Sequence, residues 1–229
     1  MGGAALGAVV TDGPPRIVPG SLGIFGGTFD PIHLAHLAVA EEAAEALGLE
    51  SVLFIPAGEP PHKAGRAITR AEDRLAMVEL AIAGNARFAA DRIEMDRAGP
   101  SYTVDTLATM RDARVAAGSP PDLTLILSAE AFLSLMTWRE PRRVLELARV
   151  AVAPRDGYPE AGPEFLRDHL PDLADRATFL DGPRLRLSAG ELRERAATGR
   201  SLRYLVPDAV AAYIGDHALY QNSRRNPTS

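Results

Sequence analysis

The sequence predicts an α/β protein: one doubly wound, Rossmann-like domain, with a parallel sheet between two layers of helices and a C-terminal helical region. Three observations carry this expectation. Short β-branched or apolar runs alternate with longer helical patterns, the order that parallel strands with helical crossovers require. The first run, SLGIFGG, ends in two glycines and leads directly into a helix-start signal. The composition, 46% hydrophobic and 24% charged over 229 residues, is that of a chain able to bury a substantial core.

Taken in order, SLGIFGG precedes IHLAHLAVAEEAAEALG, and SVLFIP precedes EDRLAMVELAIAG. The alternation continues with DLTLILS, RVAVAP and ATFLDG as strands, interleaved with YTVDTLATMRDARVAAG, VLELA and LRERAATG as helices. The longest interruption is a loop at PRDGYPEAGPE, and no internal repeat stands out. One domain is therefore expected from Ser21 to Tyr220. Residues 1–20 and 221–229, rich in turn-forming and polar residues, read as flexible tails.

Several classes of function are disfavoured at once. No run approaches the roughly 18 apolar residues of a membrane span. The net charge of -5 comes without a basic run, so a nucleic-acid partner is not expected. The absence of cysteine removes disulfides and thiolate metal sites. The cytoplasm is the expected compartment, and the sequence leaves a homo-oligomer open.

The chemistry concentrates in GIFGGTFDPIHLAH. Gly26 and Gly27 let the backbone approach a ligand without a Cβ in the way. Asp30 reads as a helix cap and Pro31 as the first helical residue, which places His33 in the first turn with His36 beside it. A helix N-terminus attracts anions, and imidazoles add directed donors. Phosphate binding explains this combination, although two histidines so spaced also suit a metal pair or plain packing.

GGTFDPIHLAH closely resembles the G-G-T-F-D-P-x-H-x-G-H signature of the nucleotidyltransferase superfamily, in the version carried by bacterial nicotinate-nucleotide adenylyltransferases. Ala35 stands where that signature has glycine. The likeness extends through PPHK, RLAMVELAI, RIEMDRAGPSYTVDTL and LRERAATGRSLRYLVPDAVAAYIGDHALY, so it covers nearly everything from Leu22 to Tyr220. It implies adenylyl transfer from ATP to nicotinate mononucleotide in NAD biosynthesis, with Mg²⁺ accompanying the nucleotide and no metal site on the protein.

The same resemblance implies a set of site residues. Gly26, Gly27, Thr28, Phe29, His33, His36, Ser188 and Arg193 fall at its ATP-binding positions, with His33, His36 and Arg193 as the catalytic group. Lys63, Tyr102, Thr103, Glu130, Trp138 and Arg155 fall at its acceptor-binding positions. Read on their own, Lys63 could be a solvated loop tip, Ser101 or Thr103 a helix cap, and Trp138 a core residue.

The pattern also departs from the family. Ser128-Ala129-Glu130 replaces G-x-D, Ala189 and Gly190 replace two hydroxyl residues of I-S-S-T-x-I-R, and Asp156 replaces a proline. Retuned activity is expected from this. A different phosphorylated acceptor, such as nicotinamide mononucleotide, and a non-catalytic nucleotide-binding role are the rival readings.

Overall fold

The structure, a computed structural model, describes residues 20–60 and 67–221. Six strands form one sheet: β1 (Leu22–Gly27), β2 (Ser51–Pro56), β3 (Phe88–Ala90), β4 (Leu123–Ser128), β5 (Arg149–Ala153) and β6 (Ala177–Phe179). Their order across the sheet is β3-β2-β1-β4-β5-β6, and every recorded pairing is parallel. The fold class is the one expected. β3 was not expected, because FAA offers three residues and no alternation.

Eight helices accompany the sheet among the described residues: α1 (Leu34–Ala46), α2 (Ala71–Ile82), α3 (Thr103–Ala116), α4 (Ala129–Leu133), α5 (Pro141–Leu147), α6 (Glu164–His169), α7 (Ala189–Ala197) and α8 (Asp208–Asp216). The short α6 was also unexpected; it follows the PRDGYPEAGPE loop.

Strand residues alternate between two apolar layers. Phe25, Val52, Phe54, Ile126 and Ala151 face α1, α2, α7 and α8, whereas Ile24, Leu53, Ile55, Leu125 and Val152 face α3 to α6. Because both faces are covered, the strands read as continuous apolar runs. α1 meets the sheet through Ala40, Ala43 and Ala44, whose small side chains allow a close approach.

Register locates the crevice. β1 pairs with β4 only as far as Ile24 and Leu125, while it stays paired with β2 through Gly27 and Pro56. β4 meanwhile continues beside β5 to Ser128. The two central strands therefore part over their last three residues, at the point where the strand order reverses, and open sheets bind ligands there.

Candidate active site

Two cavities open at this parting, and Gly26, Gly27 and Leu127 line both. The first, about 160 Å³, is also lined by Phe29, His33, Ala35, His36, Ser128 and Arg155. The second, about 240 Å³, is lined by Thr28, Glu94, Ser101, Tyr102, Thr103 and Trp138. A Cβ on Gly26 would meet nothing within 4 Å, so the space beside it is open. A Cβ on Gly27 would stand 2.9 Å from the Phe29 ring, so this glycine is required by packing.

The turn after β1 is longer than expected. α1 begins at Leu34, and His33 is its cap residue. Neither Asp30 nor Pro31 starts the helix, and the peptide bond between them is cis. Asp30 cannot cap because its carboxylate is engaged elsewhere: Oδ1 accepts from the Tyr220 hydroxyl at 2.8 Å and Oδ2 from the Thr69 N–H at 3.4 Å. The helix end is also less open than its position suggests. The Leu34 N–H donates to the Leu205 carbonyl at 3.1 Å and the His36 N–H to the His33 carbonyl at 2.9 Å.

Directed donors must therefore come from the imidazoles. The two rings stack at 3.7 Å and 17°, and the His33 N–H donates to His36 Nδ1 at 3.2 Å. A ring nitrogen that accepts carries no proton, which leaves the His36 proton on Nε2. His33 is 2% exposed. Burial, and then the Arg155 charge, lower its pKa from 6.5 to about 4, so its ring is neutral at pH 7. His33 Nδ1 is buried without a hydrogen-bond partner among the described residues.

Phe29 lines the histidine cavity, yet its ring is buried at φ 49, edge-on to Phe25 and 5.1 Å from His36. Its contribution is to hold the His36 ring in place. Arg155 lines the histidine cavity rather than the aromatic one, and its Nε lies 3.3 Å from Glu130 Oε2. Glu130 itself lines neither cavity. Thr28 is on the aromatic side.

Arg193 donates from Nη1 to the Asp30 carbonyl at 2.7 Å and stands 3.9 Å from its carboxylate, so it braces the turn without lining either cavity. The Ser188 hydroxyl accepts from the Glu191 N–H at 3.2 Å as the cap of α7, also outside both cavities. Lys63 lies outside the described residues.

The aromatic cavity gathers Tyr102, Thr103 and Trp138. Trp138 Nε1 donates to Ser134 Oγ at 3.2 Å, and the Arg139 guanidinium stands 4.8 Å over the Tyr102 ring. Tyr102, not Ser101 or Thr103, is the cap residue of α3. Ser101 instead accepts from the Gly58 and Glu59 N–H groups at 3.0 and 3.2 Å, tying the loop after β2 to this one.

Three residues of the site were not legible in advance. Arg74, 1% exposed, donates to the carbonyls of Thr69, Thr28, Ala57 and Gly58, tying the β1–α1 turn to both ends of the β2–α2 connection. Glu94 accepts from the Thr106 hydroxyl at 2.8 Å; burial pushes its pKa up, opposed by Thr106, Arg97 and Ser101. Tyr220 grips Asp30 from the far end of the chain. Among the described residues, no cluster of three or more histidine and acidic side chains is placed to hold a metal ion.

Residues 24–195 match the family described as cytidylyltransferase-like. A probable nicotinate-nucleotide adenylyltransferase of Roseiflexus sp. (strain RS-1) is 48% identical over 200 residues, 87% of this chain and 98% of that protein. The chain belongs to the nicotinate-nucleotide adenylyltransferase family. A second member, from Thermomicrobium roseum, is 44% identical over 87% of this chain and 91% of its own. The family's fold is shared more widely. A Plasmodium falciparum nicotinic acid mononucleotide adenylyltransferase complexed with APC superposes with a TM-score of 0.71 at 16% identity, over 87% of this chain and 96% of that one. The same enzyme complexed with NaAD gives 0.70 at 15% identity, with 87% and 97% covered.

Proposed function

We propose that the chain transfers the adenylyl group of ATP to nicotinate mononucleotide, forming deamido-NAD and releasing pyrophosphate. The observation that carries this reading is the shared Gly26–Gly27 wall, with imidazoles and an arginine on one side and aromatic rings with a helix start on the other. Two ligands seated there would meet over the glycines.

In this reading ATP places its phosphates in the histidine cavity and the mononucleotide places its pyridine ring against Trp138. The acceptor's phosphate oxygen attacks the α-phosphorus; the bond from that phosphorus to the bridging oxygen breaks, and pyrophosphate leaves with the electron pair. A phosphate monoester is already ionised near pH 7, so the protein need not remove a proton. Its task is alignment and charge stabilisation.

His36 donates from Nε2, and the neutral His33 ring, stacked against it, holds it in orientation. Arg155 supplies positive charge beside them. Magnesium arrives as part of the substrate, MgATP, held by phosphate oxygens and water. Tyr102 and Thr103 present the start of α3 to the nicotinate carboxylate, and a cationic pyridine ring suits the indole face of Trp138. Arg193 and Ser188 serve the nucleotide from outside the cavity, by bracing the turn and capping α7. Lys63 is the remaining candidate for the acceptor phosphate. The reaction is placed in the cytoplasm, and among the described residues no helix is long and apolar enough to cross a membrane.

Incubation of the purified protein with MgATP and nicotinate mononucleotide should yield deamido-NAD and equimolar pyrophosphate by chromatography. A parallel reaction with nicotinamide mononucleotide should be much slower. Preference for the amide, or nucleotide binding without any dinucleotide, would refute the proposal.

A further inference from the structure

Two tyrosines near the end of the described chain make the same kind of bond to different targets. The Tyr213 hydroxyl, on α8, donates to Asp73 Oδ1 at 2.9 Å and so joins α8 to α2. The Tyr220 hydroxyl donates to Asp30 Oδ1 at 2.8 Å, inside the turn between β1 and α1. The first bond joins two helices; the second reaches the residues that carry the cavity.

Asp30 is 3% exposed and has little freedom to move. Its second carboxylate oxygen takes the Thr69 N–H, and its carbonyl takes Arg193 Nη1 at 2.7 Å. On one side, Arg74 Nη1 holds the Thr28 carbonyl at 2.8 Å. On the other, Pro31 and Ile32 are buried and lead directly to His33. Asp30 is thus joined to Arg193 by a hydrogen bond and to His33 through two buried residues.

Tyr220 itself sits at φ 65, a conformation unfavourable for a residue with a Cβ, and such conformations persist when surrounding contacts enforce them. Its ring packs against the α1/α2/α8 core. Burial and the neighbouring Asp30 raise its pKa, which keeps the hydroxyl protonated and donating at neutral pH.

We propose that Tyr220 is a positioning residue for the nucleotide half of the site: through Asp30 its hydroxyl fixes where Arg193 and His33 stand. The proposal rests on the reading that ATP occupies the histidine cavity. Tyr213 supplies an internal control, since Tyr213→Phe removes an equivalent hydroxyl without touching the turn.

The test measures binding of MgATP and of a non-hydrolysable ATP analogue by calorimetry, alongside KM for each substrate. Tyr220→Phe should weaken nucleotide binding roughly tenfold while leaving the acceptor KM within about twofold. Tyr213→Phe should leave nucleotide affinity unchanged and lower only the melting temperature. Unaltered nucleotide affinity in Tyr220→Phe, or equal weakening in both variants, overturns the proposal. Hydrogen exchange on the unmodified protein gives a second measurement: MgATP should protect the 216–221 segment together with the β1–α1 turn, and protection of the turn alone counts against the coupling. If wild type binds nucleotide but forms no dinucleotide, the reaction assigned above fails while this comparison still stands.

Discussion

The imidazole of His33 lies 3.7 Å from that of His36 and nearly parallel to it, with a backbone N–H of the first residue donating to the ring of the second. The pair is pre-organised: one ring is sealed in the protein and neutral, while the other has its tautomer set by its neighbour's main chain. The first consequence is for acid stability. A histidine whose folded pKa is about 4 binds fewer protons folded than unfolded across the window from 4 to 6.5. Stability therefore rises with pH through that window and is lost as pH falls below 6.5, by up to about 3 kcal/mol. Thermal melts from pH 4 to 7 should show a shallower slope for His33→Gln than for wild type.

Removing His36 should affect the reaction more than the fold. His36→Ala is expected to lower kcat by roughly 10²- to 10³-fold, as loss of one donor to a transition-state oxygen does elsewhere. Its melting temperature should stay within a few degrees of wild type, because the ring is only partly buried. Steady-state kinetics with calorimetric melts on the same preparation decide the matter.

Gly26 and Gly27 should respond in opposite ways. Gly26→Val adds a side chain where nothing lies within 4 Å, so stability should be retained while KM rises for both substrates. Gly27→Ala meets the Phe29 ring at 2.9 Å and should lose about 1 to 3 kcal/mol of stability, measured by urea denaturation.

Trp138 should matter to one substrate only. Trp138→Ala is expected to raise KM for nicotinate mononucleotide about tenfold, with the ATP KM little changed. Equal increases in both would place the indole in general packing.

Arg74→Met should be the most damaging of these changes to stability. The guanidinium donates to four carbonyls from a fully buried position, and its loss leaves them unsatisfied, at a cost of about 3 to 5 kcal/mol. Arg74→Lys should rescue little of this, because one ammonium cannot reproduce the planar fork. Chemical denaturation of both variants provides the check.

What could be read from the sequence was whatever local pattern governs. The five longer apolar runs announced five strands, and GGTFDPIHLAH located the crevice before any coordinate was known. β3 was missed because its FAA is cut short by Arg87 and Asp91, whereas the equally short β6 sits in a run that continues into Leu180. Asp30 and Pro31 looked like a helix start because a cap is a local event, yet Tyr220, 190 residues away, had claimed the carboxylate. Arg74 was hidden for a similar reason: within an amphipathic helix a lone arginine reads as solvated, and only the folding of the β1–α1 turn and the β2–α2 connection around it shows otherwise. Division of the site residues between two cavities, with Arg155 beside the histidines and Thr28 beside the aromatics, depends on register, which the strands reveal only when assembled.

The early parting of β1 and β4 makes the molecule modular about one strand. The aromatic cavity draws on the loop after β2 and the approach to α3, whereas the histidine cavity draws on α1 and the ends of β4 and β5. The backbone of Gly26 and Gly27 is the boundary between them, and Arg74 ties the turn that follows it to the loop after β2. On the proposed reading, acceptor choice is altered at the loop after β2 and the approach to α3, away from the residues assigned to the adenylyl donor.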